Sequence, residues 1–184
     1  MTYQECIINH YQNIWCCDMK IYLWDKGPIE NLLFNFRVLE FAPSKQRDMW
    51  TYATCCMSQL GDKKGVEVHI FSSKRDESLI ELLFASAFYH RNNKKLDLWH
   101  TINFGRPWQD DSKCEYGLFS LPYLDGPDLE NLTSKDNWEV NFYWLIPITK
   151  LEVEFKSKYG IELLEGKFEQ VGLDYINPNR DSSI

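Results

Sequence analysis

The stretch GLFSLPYLDGPDLENL, residues 117 to 132, sets three carboxylates, Asp125, Asp128 and Glu130, around a Gly-Pro corner directly after an apolar run. Clustered carboxylates suit a hard cation, but an EF-hand loop needs ligands at alternating positions and a glutamate at the twelfth, and DGPDLE supplies neither. Asp and Gly-Pro are also turn formers, and Asp128 or Glu130 would stabilise the first turn of a short helix through its free N–H groups and dipole. The corner is the reading we adopt. A second arrangement is His69 on one strand face with Glu67, which could orient its ring, while a cysteine on a neighbouring strand would complete a Cys/His pair for nucleophilic attack. Thiol catalysis requires positive charge to lower the sulfur's pKa, and TYATCCMS, around Cys55 and Cys56, has none. His10, His69, His90 and His100 show neither H-E-x-x-H nor the spacing of a zinc site. A nucleophile elbow, a P-loop and a dinucleotide glycine pattern are also missing. No catalytic residue, metal or cofactor is expected.

The elements that must position these residues follow from periodicity. Tyr3, Ile7, Tyr11, Ile14 and Trp15 recur at helical spacing and predict an amphipathic N-terminal helix. KIYLW reads as a short strand closed by the turn DKGP, residues 25 to 28. NFRVLEFAP and MWTYATCCM, rich in aromatic and branched residues, predict two strands, the second buried on both faces. In VEVHIFS, alternation sets Val66, Val68 and Ile70 on one face and Glu67, His69 and Phe71 on the other. DESLIELLFASAFYHR is apolar around most of its circumference and predicts a core helix, with Asp76 or Ser78 as N-cap. WHTINFG predicts a further strand, RPWQDDSKCEYG a polar connection, and LFSLPYL a strand that ends or bulges at Pro122. WEVNFYWLIPI is a long strand that Pro147 is expected to end. Thr149 and Glu152 form a capping box that opens a helix, which Gly160 caps or kinks before an apolar stripe of Ile161, Leu164 and Phe168. The pattern is α+β (mixed α/β), with one central mixed or antiparallel sheet flanked by about three main helices in a single domain over residues 1–184.

Composition narrows the function classes. The 184 residues carry a net charge of −7, which argues against phosphate-backbone binding, because affinity for nucleic acid rests on Lys and Arg. No apolar run is long enough for a membrane span, and the N-terminus lacks the basic and apolar regions of a signal peptide, so a soluble, cytoplasmic protein is expected. Cys6, Cys16, Cys17, Cys55, Cys56 and Cys114 include two adjacent doublets and no C-x-x-C, which predicts buried, reduced thiols rather than disulfides. Aromatic residues make up 15% with seven Trp, a surplus that serves either a core or a binding surface.

The motifs MWTYATCCMS, GVEVHIFS, LLFASAFYHR, LWHTINFGRPW, GLFSLPYLDGPDLE, VNFYWLIPITKLEVEFKSKYGIELLE and DYINPNRDS, in that order over roughly residues 45 to 182, resemble the suppressor of fused family, particularly its stand-alone bacterial members. The resemblance implies a non-enzymatic domain with no catalytic residues. The animal relative is a cytoplasmic regulator that sequesters a transcription factor, using a domain of this kind and a second one to clamp an extended peptide; only the first is matched. Bacterial relatives are associated with polymorphic toxin systems, where many look like immunity proteins, and an acidic surface would suit a basic toxin domain. The expected function is protein binding, as an immunity or sequestration factor. The alternatives are a thiol- or acid-dependent enzyme and a structural subunit of a larger assembly. Candidate partner-binding residues are Arg106 and Trp108 in the polar connection and Tyr123 and Asp125 at the corner, because loops carry function more often than central strands.

Overall fold

The computed structural model describes residues 1–23 and 34–184; the expected turn at residues 25 to 28 lies outside the described residues. The chain runs α1 (Tyr3–Trp15), β1 (Met19–Tyr22), β2 (Arg37–Phe41), β3 (Trp50–Cys55), β4 (Gly65–Ser72), α2 (Ser78–Asn92), β5 (Thr101–Asn103), β6 (Cys114–Ser120), α3 (Pro127–Glu130), β7 (Asn131–Thr133), β8 (Glu139–Thr149), α4 (Lys150–Tyr159) and α5 (Ile161–Val171). The strands form one mixed sheet in the order β1-β2-β3-β4-β8-β6-β5, with β7 also paired to β8. Only β4 and β8 pair in parallel among these ladders, with Val68 opposite Tyr143 and His69 opposite Trp144.

Alternation along β4 decides the layering. Val66, Val68 and Ile70 face α2 and pack with Tyr52, Leu79, Leu83 and Leu145. On the opposite face α1 covers one half through Ile7, Tyr11 and Trp15, against Leu39, Phe41 and Phe142. The other half is covered by α5, whose Leu164 and Phe168 pack with Phe71, Trp144 and Ile146. The expected α+β domain is therefore a three-layer one. Every residue of β4 is buried, and so is all of β3 except Trp50, as the unbroken apolar run of the latter predicts.

Both predicted helix starts are resolved by side chains. Glu152 and Thr149 exchange backbone and side-chain hydrogen bonds in a capping box. Asp76 Oδ1 accepts from Ser78 N at 2.9 Å, so Asp76 rather than Ser78 supplies the oxygen at the start of α2. Gly160, at φ 91°, ends α4 and divides it from α5, and α3 adds a single turn, so the described residues hold five helices where about three main ones are expected.

Pro147 does not end β8, which continues to Thr149 with Pro147 opposite Gly117. Beyond Trp144 the β4 ladder has stopped, so the side of β8 away from β6 needs no N–H from Pro147, and the Pro147 carbonyl there accepts instead from Arg180 Nη2 at 3.0 Å. The connection after β5 is shorter than expected, because Cys114 to Gly117 already belong to β6. All six cysteines are free; Cys55, Cys56 and Cys114 are buried, but Cys16 is exposed, because it lies just past the end of α1 in a left-handed C-cap.

Candidate functional site: an aromatic and acidic groove over a buried ion pair

The corner after β6 is built by Pro122, whose carbonyl accepts from both Asp125 N and Gly126 N at 2.9 and 3.0 Å. Gly126 sits at φ 76°, a conformation that favours glycine, and Pro127 then opens α3 at its first position. Asp128 and Glu130 fall in the first turn of α3, as the corner reading expects. Asp125 does not join them. Its side chain turns inward and is fully buried.

There Asp125 Oδ1 accepts from Trp15 Nε1 at 2.9 Å and from Arg47 Nη2. The Arg47 guanidinium lies 5.4 Å from the Trp15 ring centroid and 4.8 Å from that of Phe71, held over two aromatic faces. His69 Nε2 lies 3.7 Å from Asp125 Oδ2, and burial, then repulsion from Arg47, lowers the His69 imidazole to about 3, so the ring is neutral at ordinary pH. One buried cluster thus ties the end of α1, the β2–β3 connection, the centre of β4 and the corner together.

Above this cluster the corner displays its other side chains. Tyr123 and Leu124 are 57% and 53% exposed. With Trp144 from β8, Glu165 and Glu169 from α5, and Tyr175 they line a groove of about 310 Å³. Tyr123 Oη donates to Glu165 Oε1 at 3.2 Å, and partial burial followed by the Glu165 charge pushes the phenol up to about 12. Glu165 is itself raised, first by burial and then, against its bond to Tyr123, by repulsion from Glu169 and Glu162. The groove therefore offers aromatic surface beside acids that form no ion pair among the described residues.

The Cys/His pair does not form. The Glu67 carboxylate accepts from Thr54 Oγ1 at 2.6 Å and from the amides of Met57 and Ser58, both at 3.3 Å, and does not orient His69. Cys55 Sγ lies 3.9 Å from Cys56 Sγ, and that contact, then burial, pushes its thiol far up, opposite to what a nucleophile needs. Burial, outweighing these three donors, raises Glu67 to about 8. A carboxyl whose folded pKa lies above its unfolded value holds its proton better in the native state, so stability falls as pH rises from about 4.5 to about 8. Each unit is worth about 1.4 kcal/mol. In Glu67→Gln this decline should disappear, although Ser58 N or Met57 N loses a good acceptor; urea unfolding at pH 5 and pH 8 measures it.

The four candidate residues are not brought together. Trp108 is 1% exposed and packs edge-on against Phe104 at 5.6 Å within the α2-side core, so an aromatic ring in a polar connection proves to be core. Arg106 lies on that side too, with Nη2 donating to Ser78 O at 2.8 Å and lying 3.5 Å from Glu81. Asp125 and Tyr123 share the opposite face, one inward and one outward. Sequence reasoning missed Arg47, Trp15 and Phe71 around Asp125, and Leu124, Glu165 and Tyr175 around Tyr123; SKQRDMW showed one Arg among polar residues with no periodic signal.

Residues 34–181 match the family model described as Suppressor of fused protein (SUFU). The chain belongs to the suppressor of fused family. Among solved structures it is similar to a SUFU homolog from Neisseria gonorrhoeae FA 1090, at 33% identity and a TM-score of 0.85 over 99% of this chain and 97% of that one. It also shares its fold with a chain of the Sufu-Fu complex crystal structure, at 15% identity, a TM-score of 0.70, and coverage of 98% and 92%. Drosophila Suppressor of Fused is matched at 16% identity and a TM-score of 0.70; 98% of this chain corresponds to 51% of that one, about half the length of the fly protein. No curated protein matches the chain. No helix of the described residues is long and apolar enough to cross a membrane. Within the matched span, DGPDLE and PNR each contribute a buried polar anchoring point, Asp125 and Arg180.

Proposed function

We propose that this SUFU-family chain is a non-enzymatic protein-binding domain that sequesters and neutralises a partner protein, a toxin with a basic contact surface being the partner that fits best. The observation that carries the reading is the groove beside the corner, where Tyr123 and Leu124 stand out as rigid anchors next to Glu165 and Glu169. Exposed apolar side chains on an immobilised corner are what an interface hot spot requires, since little conformational freedom is lost on contact. The acids favour a partner segment carrying Lys or Arg, in keeping with the net charge of −7. Arg106 and Trp108, committed to the other face, are assigned positioning roles rather than contacts.

The test is to identify the genes that neighbour this one in its native genome and, where one encodes a modular toxin, to co-express the two, read as growth rescue and as co-purification of the two chains. The wild-type chain should restore growth and bind. Leu124→Glu and Tyr123→Ala should each weaken binding by about tenfold or more, the loss of one hot-spot contact of about 2 kcal/mol, with an unchanged melting temperature. Rescue that survives both substitutions would place the contact elsewhere, and no rescue by the wild type would remove the immunity role.

A further inference from the structure

On the α2 side of the sheet, away from the Tyr123 groove, a second groove of about 480 Å³ lies between the turn before β4, the end of α2 and the segment leading to β5. Its volume is within the range of about 300–1,000 Å³ that small ligands occupy. Two histidines line it, and backbone contacts fix the tautomer of each. Leu96 N donates to His90 Nδ1 at 3.0 Å, and Asp97 N donates to His100 Nδ1 at 3.1 Å. With Nδ1 accepting, a neutral ring carries its proton on Nε2, so both rings are donors on their other side. His90 is 2% exposed, and its Nε2 has no partner among the described residues. Burial, followed by the charges of Lys95 and Arg91, lowers its pKa to about 4, which keeps the ring in this neutral donor form.

The charges around the two rings point the same way. The two acids of the wall are engaged: Asp97 Oδ1 accepts from Lys64 Nζ at 2.8 Å, Tyr143 Oη at 2.6 Å and Leu98 N at 2.8 Å. Asp62 Oδ2 accepts from Gln59 N at 2.9 Å and from Arg91 Nη1. Lys63 also lines the groove and forms no ion pair among the described residues, while Lys95 reaches Asp62 only at 3.9 Å. What remains for a ligand is a set of donors, two Nε2–H groups and two ammonium groups, in a protein whose overall charge is −7.

We propose that this groove is an anion site, taking a small molecule through a phosphate or carboxylate group held between His90 Nε2 and His100 Nε2, with Lys63 and Lys95 supplying the charge. An oxyanion accepts several N–H groups at once, and charge-assisted contacts of this kind are about twice as strong as neutral ones. The site is independent of the partner-binding groove, and neither proposal needs the other.

The experiment is long-range ¹H–¹⁵N NMR of the histidine rings in the full chain, titrated with sodium phosphate and separately with sodium acetate, each against sodium chloride at matched ionic strength. Phosphate, acetate or both should move the His90 and His100 Nε2 signals saturably while His10 and His69 stay in place. The stronger of the two anions identifies the ligand group as phosphoryl or carboxylate. In the double variant Lys63→Glu/Lys95→Glu, which alters exposed side chains only, the apparent affinity should drop by about tenfold or more with the melting temperature unchanged. Shifts no larger than those given by chloride, or a titration unchanged in the double variant, would overturn the proposal.

Discussion

Asp125→Ala should destabilise the protein by about 3–5 kcal/mol, because it strands the Arg47 guanidinium without its counter-charge. Only 14% of the Arg47 side chain is exposed, and none of Asp125 is. Trp15 Nε1 loses its acceptor in the same variant, which adds the desolvation of a buried donor, about 1–3 kcal/mol where no water reaches it. Against a total stability of about 5–15 kcal/mol, that is enough to unfold a large share of the molecules. The physical claim is separable from simple loss of packing. Arg47→Met combined with Asp125→Leu removes both charges and should recover a good part of the loss, giving a strongly non-additive double-mutant cycle in urea unfolding. Additive losses would mean that the two side chains do not act as a pair. The same result bears on function, since a charge reversal at Asp125 that abolishes partner capture would act through collapse of the corner that carries Tyr123 and Leu124.

Arg180→Ala carries the second large effect, again about 3–5 kcal/mol. Glu152 is fully buried at the start of α4, where Arg180 Nη1 and Nη2 donate to its two oxygens at 2.7 and 2.9 Å, and Ser183 N and Oγ donate at 2.9 and 2.8 Å. Burial alone would raise the Glu152 carboxyl; Arg180, through hydrogen bonds and charge, together with the Thr149 and Ser183 amides, overrides it and holds the pKa below the usual 4.5. A depressed carboxyl contributes stability that is complete above the unfolded value and is lost as pH falls through the folded one. Without Arg180 the burial is opposed only by the Thr149 and Ser183 donors, and the largest lowering influence on the carboxyl is gone. The deficit of Arg180→Ala should therefore be greatest at neutral pH and shrink below about pH 4.5, where Glu152 takes up a proton in the unfolded chain as well. Urea midpoints from pH 3 to pH 7 decide this, and a deficit that does not vary with pH would assign the loss to packing over Phe168 instead.

These two ion pairs mark the boundary of what local pattern reveals. The alternation of Val66, Val68 and Ile70, the capping box at Thr149 and Glu152, and the helical spacing of Ile7, Tyr11 and Trp15 are all legible, because each is a relation between residues close in sequence. The partnership of Arg47 with Asp125 or of Arg180 with Glu152 joins residues far apart, and no periodicity announces it. Trp108 misleads for a related reason. Its neighbours are polar, yet the chain folds the ring back between Phe104 and the α2-side core, so composition around a residue does not decide its exposure. Pro147 shows a rule correctly applied to the wrong geometry: a central strand rejects proline only on the side where a neighbour needs its N–H, and the ladder with β4 has ended by then. At the corner, Tyr123 is legible as a candidate, but the acids that give its groove a sign come from α5, reached only through the fold.

The parallel union of β4 with β8 has a consequence for how the chain assembles. β1 to β4 form a meander whose neighbours are adjacent in sequence, so it can zip as soon as it is synthesised, whereas β8 begins only at Glu139, long after β4 ends at Ser72. Pairings of such sequence separation are closed slowly, because the intervening chain must first give up its freedom. Until then β4, which the finished domain buries along its whole length, is an open edge on a half-made sheet, the kind of surface that recruits other strands. A nascent chain that stalls before Thr149 is thus left with its most adhesive strand uncovered, and the period of greatest aggregation risk ends when β8 leaves the ribosome.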